Sequence, residues 1–358
     1  MRKPNITMLL GTFIIALAAL AIPAVAATEG PSHATSDGVI VFKNGPLTGE
    51  FAGNAPHLRF YATNDMARTV YSVNFRALTE FSTNNSREEY ASHLMVARAD
   101  FDSAQWTPTS FYPLKNQNGA TIGIGFNFTL NSLLQVEGGS GQPKSLNSGD
   151  VVLAVKAYNT TRTITVNNQP VTMGNAEMKI DFALKNWPFA NANDKIALQV
   201  NLHSDTGRFD LHEQDGTRSV DATHDEGPTV AEHSFHETTD VEQEVRFVSG
   251  PVTASQNIGF FHFVNSATVT TSNGQTSSVP VTASFKGEKE GNEMFFKLYL
   301  AYPSFPAGAT MLHDPSIGLA GGLPTLYLIL GGVAVAGLAA VVVIRRRHPQ
   351  VQKDSKQN

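Results

Sequence analysis

The residues best suited to chemistry are histidines and carboxylates concentrated between residues 203 and 240. Five of the 11 histidines of the chain lie there, among many Asp and Glu residues. They are His203, His212, His224, His233 and His236. Neutral imidazoles and carboxylates are the side chains with which proteins bind zinc and copper. We therefore interpret this stretch as a candidate site for a divalent metal ion.

Spacing ranks the candidate metal ligands. His233 and His236 are three residues apart, so they share a face if the chain turns helical there. His203 is the third candidate, because it continues the polar face of a predicted strand over residues 196–202. The set contains neither a His-Glu-x-x-His motif nor a calcium-binding EF-hand loop. The alternative is a solvated acidic loop whose histidines titrate without binding metal.

Aromatic and isolated polar residues suggest other sites. Trp106 and Trp187 each suit a platform for stacking a sugar or a hydrophobic plug at a strand end, and we favour the plug. His313 and Asp314 suit a ligand pair or a turn before proline. His262, between two phenylalanines, suits a core histidine with satisfied hydrogen bonds. Scattered carboxylates allow an acid pair for glycoside hydrolysis.

Composition excludes several classes of function. The chain has no cysteine, which excludes thiolate metal sites and cysteine nucleophiles. It has no serine-hydrolase elbow, phosphate-binding loop or dinucleotide-binding motif. The net charge is -5, and no basic stretch is interleaved with aromatic residues, so we expect no nucleic-acid partner. We expect a protein that is not an enzyme and has no cofactor other than a divalent metal.

Three Asn-x-Ser/Thr triplets are candidate glycosylation sites, at Asn84, Asn127 and Asn159. Such sites carry glycans only on an exported, exposed surface.

The elements that must position these residues are strands. Hydrophobic and small or polar residues alternate over residues 122–130, 178–184, 196–202 and 294–300, as half-buried strands require. We expect an all-β fold with an antiparallel β-sandwich over 39–310, either one large sandwich or two in series. Asn118-Gly119 and Asn273-Gly274 predict hairpin turns, and 167–168 predict a third. The expected core residues include Ile124, Phe126, Ile180, Phe182, Leu198, Val200, Phe296 and Leu298.

Both ends of the chain have membrane-targeting features. A basic start, an apolar run and Ala-x-Ala predict a signal peptide over residues 1–26, followed by a flexible lead over 27–38. An apolar run without charge predicts a transmembrane helix over 323–344, after a stalk at 311–322. Three arginines open the basic tail at 345–358, which we place in the cytoplasm.

The predicted transmembrane helix also carries a stripe of small residues. Gly332, Ala336 and Ala340 recur every four residues, a pattern that lets two helices approach closely. We expect a homodimer through this stripe, or else ordinary small residues of a membrane helix without that role.

This layout resembles that of archaeal single-span cell-surface proteins of uncharacterised function. The likeness lies in the signal peptide, the cysteine-free β-rich ectodomain, the membrane helix followed by Arg345-Arg346-Arg347, and the hairpin around Trp187. The resemblance implies a plasma-membrane glycoprotein with its N-terminus outside and its C-terminus in the cytoplasm. We expect a structural, adhesive or ligand-binding role towards surface proteins or glycans. The alternatives are a zinc- or copper-binding ectodomain and a membrane-anchored glycan hydrolase.

Overall fold

The structure is a computed structural model of the whole chain. It describes residues 31–36, 39–52, 54–63, 69–82, 95–138, 144–159, 161–166, 169–174, 176–204, 208–213, 216–221, 233–235, 242–248, 257–290 and 293–321.

The described residues form 27 strands and one short 3-10 helix at Phe101–Ser103. The first half of the chain contains β1 (Ser32–Ser36), β2 (Val39–Asn44), β3 (Leu47–Ala52), β4 (His57–Ala62), β5 (Tyr71–Phe81), β6 (Met95–Asp100), β7 (Trp106–Pro108), β8 (Tyr112–Lys115), β9 (Thr121–Leu130), β10 (Leu134–Gly138), β11 (Lys144–Leu146), β12 (Val151–Tyr158), β13 (Arg162–Val166) and β14 (Gln169–Met173). The second half contains β15 (Glu177–Lys185), β16 (Lys195–Ser204), β17 (Arg208–Glu213), β18 (Gly216–Asp221), β19 (His233–Phe235), β20 (Glu242–Val248), β21 (Asn257–Val264), β22 (Ser266–Thr270), β23 (Thr276–Pro280), β24 (Thr282–Glu290), β25 (Glu293–Pro303), β26 (Thr310–His313) and β27 (Ser316–Gly321).

Two large antiparallel sheets account for nearly all of these strands. Sheet A has 12 strands, with β1-β2-β3-β4-β5-β16-β25-β24-β19 in order and β6, β10 and β11 attached beside β5. Sheet B has 13 strands, with β18-β17-β20-β21-β27-β15-β12-β9-β7 in order and β8, β22, β23 and β26 attached. The strands β13 and β14 form a separate hairpin. The predicted all-β, antiparallel class is confirmed.

The two sheets pack face to face around one apolar core. Aromatic rings meet across the interface, with ring centroids 5.9 Å apart for Phe42 and Phe126 and 5.7 Å apart for Phe60 and Phe247. One continuous cluster of buried side chains contains residues of both sheets. The described strands therefore share a single core and do not divide into two sandwiches in series.

The alternating pattern placed most core residues correctly. Seven of the eight expected core residues have no exposed surface, namely Phe126, Ile180, Phe182, Leu198, Val200, Phe296 and Leu298, all at 0%. Ile124 is only partly buried and packs against the edge of the core. Its strand, β9, pairs there with the short strand β8, which covers the residue incompletely.

The predicted hairpin turns are present. Gly119 and Gly274 adopt φ angles of 79° and 82°, which glycine reaches without strain. Val166 lies opposite Gln169, so residues 167–168 connect β13 to β14.

Two segments predicted to lack regular structure contain strands. In the lead at 27–38, β1 pairs with β2, and the ring of His33 stacks on Phe111. Because an edge strand needs only backbone partners, it leaves little hydrophobic pattern in the sequence. The predicted stalk at 311–322 contains most of β26 and all of β27, which pair with the central strand β15.

The glycine-rich composition of β27 reflects close packing. A Cβ atom on Gly318 would lie 2.4 Å from the Phe260 ring, so only glycine fits there without displacement. The glycine that suggests a flexible linker in the sequence is therefore needed because an aromatic ring packs against the backbone there.

The acidic stretch at 203–240 is also not a single long loop. It begins on β16, and β17 and β18 form a hairpin whose first strand pairs with β20. The short strand β19 pairs with β24 in the other sheet. β17 alternates polar and apolar residues but is only six residues long, and β18 and β19 show no alternation, so the sequence pattern did not reveal these strands.

Within the described part of the chain, no helix has the length and apolar character needed to cross a membrane. The predicted signal peptide, transmembrane helix and tail lie outside the described residues, as do Gly332, Ala336 and Ala340.

Candidate functional site

A polar cleft opens between strands of the two sheets. Its volume is about 620 Å³, and it lies between the start of β4, the 3-10 helix, β7 and the end of β9. Its lining residues are Asn54, Ala55, His57, Asp102, Ala104, Gln105, Trp106, Thr107 and Asn131. Small-molecule sites usually have volumes of about 300–1,000 Å³, so this cleft suits a ligand of modest size.

A charged group is paired inside this cleft. The Nε2 atom of His57 lies 3.1 Å from Oδ1 of Asp102, and the guanidinium of Arg76 contacts the other carboxylate oxygen. Burial, together with the charge of Arg76, holds the pKa of His57 below its usual value, so the imidazole is neutral near neutral pH. The charges of Arg76 and Asp102 compensate each other, which leaves the cleft close to electrically neutral.

Polar side chains without a partner surround this pair. Among the described residues, the side-chain amides of Asn54, Gln105 and Asn131 form no hydrogen bond, and neither does the Thr107 hydroxyl, and all four residues are exposed. The backbone of the two central residues is held in place, because Asn131 N–H donates to the Gln105 carbonyl at 2.8 Å. The cleft thus presents free donors and acceptors on a fixed frame.

Trp106 forms a wall of the cleft and does not form a stacking platform. Its side chain is 4% exposed, its ring lies parallel to Phe128, and its indole N–H donates to the Phe101 carbonyl at 3.0 Å. Trp187 is buried in the same way, and its indole donates to Glu80 at 2.9 Å. The favoured interpretation of both tryptophans as plugs is confirmed.

A buried charge network lies on the outer face of sheet B. Lys179 Nζ lies 2.9 Å from Asp181 and 2.7 Å from Asp314, and Lys156 contacts Asp181 from the neighbouring strand. Burial raises the pKa of Asp314 to about 6, and the nearby Asp181 adds to this rise against the effect of Lys179. Burial also acts on Asp181, but Lys179 and Lys156 hold its pKa below its usual value.

This carboxyl pair does not fit glycoside hydrolysis. Lys179 Nζ lies 2.9 Å from the Asp181 carboxyl and 2.7 Å from the Asp314 carboxyl, so its ammonium lies between the two groups, where a glycosidase with carboxyl groups about 5–9.5 Å apart places the scissile bond. There is no room between them for a sugar or a water nucleophile. We interpret the pair as part of the frame that holds β15 against the link between β26 and β27.

His313, for which the sequence left a ligand pair with Asp314 or a turn before proline open, is a buried link between the sheets. Its Nε2 atom lies 2.8 Å from the Val264 carbonyl, which only accepts, so Nε2 carries the proton. Nδ1 then accepts from the Tyr302 hydroxyl at 2.9 Å. Burial lowers the pKa of His313 to about 4, so the ring is neutral at neutral pH. Both ring nitrogens are occupied, which leaves none for a metal.

His262, the predicted core histidine, is only half-buried on β21. Its Nδ1 atom lies 3.4 Å from the Ser316 hydroxyl, which donates to the buried carboxyl of Glu177 at 2.5 Å. Burial raises the pKa of Glu177, and the nearby His262 opposes the rise.

A second polar network lies on the outer face of sheet A. Arg98 donates to Thr79 at 3.2 Å and to Gln199 at 3.0 Å, and Gln199 donates to Asn201 at 2.9 Å. The Ser284 hydroxyl is buried and lacks a hydrogen-bond partner in the part of the chain that the structure describes. These groups largely satisfy one another, so we interpret this network as structural.

The described residues do not assemble the predicted metal site. His203 lies on β16 and His233 on β19, and β25 and β24 separate these strands in sheet A. Strand spacing puts roughly 14 Å between them, which does not favour one shared ion. His236 lies outside the described residues. Among described side chains, no three histidines or carboxylates are grouped closely enough to hold a metal.

Two of the three glycosylation candidates lie in described segments. Asn127 is half-buried on β9, and its side-chain oxygen accepts from Tyr112 at 2.9 Å. Asn159 is half-buried just after β12, and its N–H donates to the Ile122 carbonyl at 2.9 Å. Asn84 lies outside the described residues.

Comparison with known proteins provides no family. No family model matches the chain, and no curated protein matches it. A solved structure of the protein HI1317 is similar at 8% identity, covering 82% of this chain and 100% of that one, with a TM-score of 0.32. Superposition at this level does not establish a shared fold, so the function of this chain rests on its own geometry.

Proposed function

We propose that this protein is an exported, single-pass surface protein of the plasma membrane, with an adhesive or ligand-binding role carried out through the polar cleft. The charge-free run at 323–344 and the arginines after it support the anchor. The layout resembles that of archaeal single-span surface proteins, and bacterial single-span surface proteins can share it.

The observation that carries the binding role is the set of free side chains around the cleft. Arg98 and Gln199, in the polar network of sheet A, are hydrogen-bonded to each other within the protein. The side-chain amides of Asn54, Gln105 and Asn131 have no hydrogen-bond partner among the described residues, and the backbones of Gln105 and Asn131 are hydrogen-bonded to each other. Exposed amides around a concavity are suited to a ligand that replaces water.

The two alternative functions have less support. Among described residues, the candidate metal ligands His203 and His233 lie on separated strands. The buried carboxyl groups of Asp181 and Asp314 are both ion-paired with Lys179, which leaves no site for a sugar between them. Ligand binding without chemistry is therefore the function that the geometry supports best.

Protease treatment of intact cells and an adhesion assay test this proposal together. Protease added outside should digest residues 27–322 and spare an epitope on the tail at 345–358. Cells carrying the protein should adhere to coats of extracellular polysaccharide or protein, and Asn131→Trp, which fills the cleft, should reduce adhesion. Gln135→Trp, on an exposed position of β10, is the matched control. A tail epitope digested from outside, or adhesion unchanged by Asn131→Trp, would contradict the proposal.

A further inference from the structure

The free groups of the cleft define the chemistry of its ligand. Each carboxamide of Asn54, Gln105 and Asn131 offers two N–H donors and an oxygen that accepts. The Thr107 hydroxyl adds a group that both donates and accepts. A complementary ligand must therefore present donors and acceptors mixed at short intervals, as neighbouring hydroxyl groups do.

The charge of the cleft argues for a neutral ligand. Its carboxylate, Asp102, is already paired with Arg76 and His57, and the imidazole is uncharged because its pKa is lowered. Among the described lining residues, no cation is left to bind a phosphate or carboxylate, and no unpaired carboxylate is left to bind a cation. A charged ligand would lose its hydration without gaining an opposite charge.

The shape of the cleft agrees with a short saccharide. A volume of about 620 Å³ fits within the usual range for small-molecule sites. Ala55, Ala104 and Trp106 are the apolar residues of the lining, and Ala104 and Trp106 expose only 8% and 4% of their surface there. A sugar ring carries apolar C–H groups and a rim of hydroxyls, and so matches both the apolar residues and the amides.

From these contacts we infer that the cleft is a binding site for neutral saccharides, with Asn54, Gln105, Thr107 and Asn131 as the recognition residues. This inference rests on the proposed function and names its ligand class. The contact between His57 and Asp102 in the lining joins the start of β4 to the 3-10 helix. Sugars with uronic acids are the charged arm of the test.

The experiment uses the full-length protein in lipid nanodiscs. Neutral oligosaccharides of glucose, galactose, mannose and N-acetylglucosamine are titrated by calorimetry, beside uronic-acid oligosaccharides and an uncharged peptide. At least one neutral oligosaccharide should bind, and Asn131→Ala and Gln105→Ala should each weaken it about tenfold through the loss of a hydrogen bond to the ligand. Gln135→Ala, the exposed glutamine outside the cleft, should bind as the unaltered chain does.

The two alanine variants should fold as the unaltered chain does, because Gln105 and Asn131 are exposed and their side chains form no hydrogen bond with another described residue. The inference would be overturned if no neutral oligosaccharide bound, or if both alanine variants bound the oligosaccharide as tightly as the unaltered chain. Tighter binding of the uronic-acid sugars or of the peptide than of the neutral oligosaccharides would also overturn it. If Asn131→Trp still abolishes cell adhesion in that case, the proposed function stands and only the ligand class falls. If adhesion is also unchanged, the proposed function falls as well.

Discussion

Burial determines the hydrogen bonding and the pKa values of single residues in this protein more than the kind of side chain does. His313 looks like a metal ligand in the sequence, yet both ring nitrogens bond within the protein. Asp314, its neighbour, lies against Asp181 and Lys179 in a position that no local pattern indicates. Burial lowers the pKa of His313 and raises the pKa of Asp314. The two shifts therefore change the stability of the fold with pH in opposite directions.

His313 should make stability depend on pH. Its folded pKa of about 4 lies below the unfolded value of 6.5, so its contribution is complete above pH 6.5 and declines as pH falls towards 4. His313→Asn should cost stability at neutral pH, and the cost should shrink towards pH 4 by on the order of 3 kcal/mol. Urea unfolding across this range measures the change.

Asp314 titrates in the same range with the opposite sign. Its folded pKa of about 6 exceeds the ordinary aspartate value of 3.8, so the folded state takes up the proton first and gains stability as pH falls. The His313→Asn comparison is therefore made in an Asp314→Asn background, where this effect is absent. A difference between the two proteins that stays constant with pH would contradict the prediction.

At the scale of elements, β27 shows how composition conceals structure. Its glycines resemble a linker, yet the strand lies between β15 and β21 in the middle of sheet B. The ring of Phe260 occupies the space that a side chain at Gly318 would need, and the carbonyl of Ala176 lies 2.8 Å from the same point. The packing of β27 therefore requires a residue without a side chain at Gly318.

Gly318→Ala should therefore destabilise the protein by about 1–3 kcal/mol, the usual cost of overpacking. Gly174→Ala is the control, because its nearest atom would lie 3.8 Å from the new Cβ and its φ is not in the left-handed region. Thermal melting of the two variants beside the unaltered chain measures the effect. Equal melting temperatures for both variants would show that 311–322 behaves as the stalk that composition suggests.

The whole molecule depends on one core shared by two sheets. Phe182 of sheet B and Tyr302 of sheet A stack with centroids 6.4 Å apart, and Tyr302 also holds His313. On the described surface only Met95 and Leu133 are large, exposed hydrophobic residues. With no cysteine to form a disulfide, stability must come from this core.

Phe182→Ala should cost about 3–5 kcal/mol, because the ring is fully buried. Phe42→Ala, on the opposite sheet, should lower the same single unfolding transition. Calorimetry of the full-length protein in detergent checks both variants. Two separate transitions, with each variant shifting only one of them, would show that the sheets unfold independently.

The sequence alone determined the fold class, most of the core and the hairpin turns, because strand alternation and Asn-Gly turns depend on residues that are close along the chain. It indicated Trp106 at the cleft only as a plug, and it missed Asn54, His57, Gln105 and Asn131. His57 and Asp102 are 45 residues apart, and Asp314 is 135 residues from Lys179. Such meetings depend on the pairing and register of many strands at once, so only the tertiary structure decided where the polar cleft and the charge network formed.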